Sequence, residues 1–112
     1  MKKTSFVMLT IAGLALAGAS PAAAQLTKFS PNDKAFAYTT KSNTLVSVWQ
    51  QKSGYSHADY YRKASSGTQR HLWNKSGVNT TVTSGSGSAL FKMRVCEWVK
   101  DNDDICSGWD TE

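Results

Sequence analysis

The chain has 112 residues, with 13 Lys+Arg against 8 Asp+Glu, a net charge of +5 and 40% hydrophobic residues. That composition is too apolar for a disordered segment, and the length allows one small domain without a deep catalytic cleft. Two cysteines and two separated histidines give little from which to build a tetrahedral zinc site.

Residues 1–24 have the layout of a secretory signal peptide. Lys2 and Lys3 form a basic start, Phe6 to Ala17 is apolar and uncharged, and Ala22-Ala23-Ala24 supplies a small-residue cleavage pattern. The apolar core is too short to span a bilayer comfortably. The cleavage point has no neighbouring cysteine to carry a lipid. The expectation is a secreted, extracellular protein of 88 residues that begins at Gln25 and has no stable membrane anchor.

Residues 25–34 (QLTKFSPNDK) lack periodicity and contain Pro31-Asn32-Asp33, so they read as an N-terminal arm. Residues 35–112 then read as a single small β domain. Short segments rich in aromatic and β-branched residues alternate with turn clusters such as TKSN, SSGT and SGSGS. The predicted strands are Ala35–Thr40, Leu45–Gln51, His57–Lys63, Gln69–Asn74, Asn79–Thr83, Ala89–Val99 and Cys106–Trp109. Residues 57–64 (HADYYRKA) are also compatible with a single helix. The clearest strand is the sixth, where Phe91, Met93 and Val95 alternate with Lys92 and Arg94. Connections this short favour an antiparallel meander folded into a sandwich or barrel.

Cys96 and Cys106 fall where a hairpin through Lys100 to Asp104 brings them together, and an oxidising compartment favours a disulfide there. Free thiols and an intermolecular bridge are the alternatives. Charge is unevenly spread: residues 25–96 carry ten basic side chains against Asp33 and Asp59, whereas six of the remaining residues are acidic. A basic body suits an anionic polymer, and equally a domain whose two ends attract each other.

Motifs for catalysis are weak. His57-Ala58-Asp59 places a histidine and a carboxylate on one side of a strand, but no nucleophile elbow accompanies them, and the pair reads as a surface feature. Asp101, Asp103 and Asp104 offer oxygen ligands but fail the calcium-loop spacing. The expectation is therefore a non-enzymatic protein with no cofactor and no resident metal. Between Tyr55 and Lys75, aromatics interleave with cations, and rings and cations together suit polymers. Arg62, Lys63, Arg70, Trp73 and Lys75 are the candidate binding residues. Extracellular polysaccharide or another anionic cell-wall polymer is the expected ligand class, in preference to nucleic acid. The rival is a protein-directed inhibitor that presents the Cys96–Cys106 loop to a partner.

The stretch Leu72 to Gly87 (LWNKSGVNTTVTSGSG), with Arg94-Val95-Cys96 and Asp104-Ile105-Cys106-Ser107-Gly108-Trp109, resembles small secreted proteins of actinobacteria that have no assigned function. The resemblance implies secretion and a single disulfide, and assigns no site residue.

Overall fold

The computed structural model describes residues 24–112, and the expected signal segment lies outside them apart from Ala24. The described chain is all-β and antiparallel. In order, the strands are β1 (Thr27–Phe29), β2 (Ala35–Thr40), β3 (Leu45–Gln50), β4 (Ser56–Arg62) and β5 (Arg70–Asn74). They continue with β6 (Thr81–Thr83), β7 (Leu90–Glu97), β8 (Ile105–Cys106) and β9 (Asp110–Thr111). One sheet has the order β1-β2-β3-β6. The other runs β5-β4-β7, with β8 and β9 both paired to the far side of β7. Neighbours in sequence pair in β1-β2-β3 and in β4-β5, but the chain changes sheet after β3, after β5 and after β6. The meander is thereby divided between two layers.

Those layers bury one shared core. Ala35 and Ala37 of β2 and Val46 and Val48 of β3 meet Ala58 and Tyr60 of β4 and Leu90, Met93 and Val95 of β7. The two-residue period turns Met93 and Val95 inward. A bulge opposite Tyr61 and Arg62 shifts the phase, so Leu90 joins them and Phe91, expected on that face, lies outside the core against Tyr61. Residues 57–62 are strand, and the helical alternative reduces to a single 3-10 turn at Lys63–Ser65.

Polar side chains close the two ends of the layer interface. Beside Ser56, the Asn74 amide donates to Val48 O at 2.9 Å and Thr80 O at 3.0 Å. At the far end of β4 the Arg62 guanidinium donates to the carbonyls of Thr44 (3.0 Å), Ser88 (2.7 Å) and Gly85 (3.0 Å). Three neutral acceptors satisfy a buried cation without a counter-ion.

The expected arm is part of the domain. Leu26 is buried in the core, and β1 pairs with β2 from Thr27 opposite Tyr38 to Phe29 opposite Phe36. Buried Glu97 accepts from the Asn32 amide at 2.7 Å and from Asn32 Nδ2 at 2.8 Å, which fastens the turn that follows β1. Burial opposes ionisation of that carboxyl, but hydrogen bonds from Ser30 and Asn32 outweigh it and lower its pKa. The Thr27 amide also donates to Asp110 Oδ2 at 2.9 Å, so the two ends of the domain meet.

Cys96 and Cys106 face each other across β7 and β8 and form a disulfide with S–S 2.06 Å. Such a bond is compatible with an extracellular protein. Among the described residues no helix is long and apolar enough to cross a membrane.

Candidate functional site

Alternation sends His57, Asp59 and Tyr61 of β4 to the outer face of the second sheet, opposite the core-facing Ala58 and Tyr60. Register then sets their neighbours. His57 lies between Trp73 of β5 and Cys96 of β7, and Asp59 lies between His71 and Arg94. Two rows of side chains therefore cross this face.

The row through Asp59 is a charge network. Asp59 Oδ1 accepts from His57 Nδ1 and from His71 Nδ1, each at 2.7 Å, and Oδ2 accepts from Arg94 Nε at 2.9 Å. The carboxylate is only 2% exposed. Burial opposes its charge, yet the bonds from His57, His71 and Arg94 prevail and lower its pKa to about 2.

His57 uses both ring nitrogens, since Nε2 also reaches Asp104 Oδ2 at 2.8 Å. An imidazole donates to a carboxylate from each side only as the imidazolium cation. Burial works against that cation, but hydrogen bonds to Asp59 and Asp104 win and raise its pKa. The His57–Asp59 pair is thus buried structure and not the expected surface pair, and His57 keeps no lone pair for base catalysis. His71 differs, because its side chain is 47% exposed and only Nδ1 is bonded to Asp59.

Aromatic rings occupy both flanks of the network. Trp73 is 38% exposed, with its ring 4.3 Å from that of His57 and with Lys75 Nζ 4.9 Å from its centroid. Lys75 also lies 5.7 Å from the Tyr55 ring, which packs at 5.4 Å on Trp98. On the opposite flank the Trp109 ring carries Lys92 Nζ and the Arg94 guanidinium, each at 4.6 Å.

The candidate binding residues accordingly separate. Trp73 and Lys75 converge, and Tyr55 and Trp98 join them. Arg62 is a correction: it shares the inward side with Tyr60, its guanidinium is consumed by three carbonyls, and it is 7% exposed. Lys63 is held by Glu112 at 2.8 Å, and exposed Arg70 reaches Ser65 Oγ at 3.4 Å, both near the opposite end of the β4–β5 hairpin. His71, Arg94 and Trp109 also lie on this face and were not among the five candidate binding residues. Their one advance signal is i, i+2 spacing: His57 with Asp59, His71 with Trp73, and Arg94 with Cys96 each share a face.

Of the acidic loop residues, Asp104 is committed to His57. His57, Asp59 and Cys96 bring a ring nitrogen, a carboxylate oxygen and a sulfur within 4.8 Å of one another. The Cys96 sulfur is bonded to Cys106, so this set has no thiolate to offer a metal ion. Comparison of the chain with protein-family models, with curated proteins and with solved structures finds no match.

Proposed function

We propose that this protein is an exported, non-enzymatic binding module that holds a carbohydrate polymer on the outer face of its second sheet. The observation that carries the reading is Trp73, an exposed indole in contact with the His57 ring and the Lys75 ammonium. An exposed tryptophan held in one orientation stacks on a sugar ring with little further loss of conformational freedom. Tyr55 and Trp98, 42% and 40% exposed, extend the aromatic surface beside it. The disulfide and the signal-like first 24 residues support export.

Co-sedimentation of the disulfide-bonded protein with insoluble cell-wall polysaccharides and peptidoglycan tests this reading. Saturable pelleting that Trp73→Ala weakens about ten-fold, and Arg62→Met at matched folded fraction does not, is the expected result. No pelleting on any polymer overturns it.

A second reading has its own support. Trp98 and Ile105 are exposed at the two ends of the disulfide-closed segment, where an inhibitor would present a loop to a protein partner. In that case Ile105→Ala and Trp98→Ala abolish partner inhibition while Trp73→Ala leaves it intact.

A further inference from the structure

We infer that His71 and Arg94 form an oxyanion subsite on this face, built to take the carboxylate of a uronic-acid residue in the bound polymer. The inference rests on the polymer-binding reading and names its ligand class. Its basis is the way Asp59 uses its partners. The buried carboxylate holds Arg94 by Nε alone and His71 by Nδ1 alone. The terminal Arg94 nitrogens and His71 Nε2 have no hydrogen-bond partner among the described residues, and the two side chains are 30% and 47% exposed. Two donors are thereby held by one buried carboxylate while their side chains stay partly exposed, Arg94 against the Trp109 ring.

A buried carboxylate with three charged or chargeable partners is a costly way to stabilise a sheet face, because well-packed apolar residues usually do as well. Support from beneath is, however, what a recognition site needs to hold its donors in place before the ligand arrives. Local charge fits as well. Asp59 and Asp104 are matched by the His57 cation and Arg94, so the nearby Lys75 and Lys92 make the face attractive to an anion.

The rings indicate which anion. Trp73 is two residues from His71 on the same face of β5, a separation of about 6.6 Å, and Trp109 lies against Arg94 itself. Stacking surface and oxyanion donors therefore fall within the reach of one sugar ring or two adjacent ones. A uronate carries its charge directly on the ring that stacks. A phosphate-linked polymer carries it on the phosphodiester linker, outside any ring, and meets this spacing less well. Arginine's terminal nitrogens pair with both carboxylate oxygens at once.

The test compares polygalacturonate with fully methyl-esterified polygalacturonate and with poly(glycerol phosphate), using the disulfide-bonded protein at moderate salt. The expected result is binding to the acid form about ten- to a hundred-fold tighter than to the ester, as one charged hydrogen-bonded group predicts. Arg94→Gln and His71→Ala each reduce the acid form's affinity towards that of the ester. Lys41→Gln, which removes the same charge from the distant β2–β3 turn, leaves the preference in place. Equal binding of acid and ester overturns the subsite while leaving the polymer reading intact. A preference for poly(glycerol phosphate), or a loss with Lys41→Gln equal to that with Arg94→Gln, also overturns it. Binding of none of the three, together with no pelleting on wall polymers, overturns both.

Discussion

Trp73 sits directly across the β4–β5 pair from His57, and the two rings stand 4.3 Å apart, centroid to centroid. The exposed indole is thus backed by a ring that carries charge only while both of its nitrogens hold protons. Stability and surface presentation are consequently tied to the same imidazolium.

The pH dependence has two limbs. His57 has a folded pKa raised above 6.5, so its contribution is complete below about pH 6.5 and is lost as pH rises through the raised value. Asp59 is lowered from 3.8 to about 2, so its contribution is present above about pH 4 and is lost as pH falls towards 2. The Asp59 share of that acid limb is on the order of 2 kcal/mol, and Glu97, whose pKa is also lowered, adds to it. Thermal melts from about pH 2 to about pH 9 should show a plateau between the limbs. In His57→Gln the alkaline decline should disappear, and a decline identical to wild type would place its origin elsewhere.

Removing Asp59 should cost more than any other single change on this face. Asp59→Ala leaves buried His57 with Asp104 alone and partly exposed Arg94 without its anion, with an expected loss of about 2–4 kcal/mol. Urea denaturation measures it, and a loss below about 1 kcal/mol would show that water replaces the carboxylate.

Arg62 should act on folding and not on ligand binding. Arg62→Met removes donors to three carbonyls and is expected to destabilise by about 2–4 kcal/mol. A Cβ at Gly87 would stand 2.8 Å from Arg62 Nη1, so Gly87→Ala should cost about 1–3 kcal/mol by overpacking against a guanidinium that cannot move aside. The cost should largely vanish in an Arg62→Ala background, and a double-mutant cycle with no coupling would disprove the contact.

Loss of the disulfide should lower stability by about 3 kcal/mol, since it closes a short loop in the unfolded chain. Guanidinium midpoints of Cys96→Ala/Cys106→Ala against wild type read it directly. Because Asp104 is also held by His57, the hairpin should stay in register without the bond.

The β character was legible because alternation in β3 and β7 is strong, with Val46 and Val48 around Ser47 and Met93 and Val95 around Arg94. β1 was not legible. Three residues, Thr27 to Phe29, carry no period, and their place depends on Glu97 reaching Asn32 from 65 residues away. The changes of sheet were hidden for a similar reason, since local turns do not reveal that β6 returns to β3 or β7 to β4. At the site, spacing showed that His57 and Asp59 share a face. Only the register brings His71 and Arg94 to the same carboxylate and turns the Arg62 side chain towards three carbonyls.

The bond from the Thr27 amide to Asp110 has a consequence for how the fold is completed. A chain that emerges N-terminus first can pair β1 with β2 at once, but the carboxylate that ties Thr27 to the other end of the domain arrives only with Asp110. The two sheets share strands from both halves of the sequence, so no early portion encloses a core by itself. The tie between the two ends waits for the final few residues, and a chain arrested short of Asp110 would keep β1 paired to β2 but lack that closing bond.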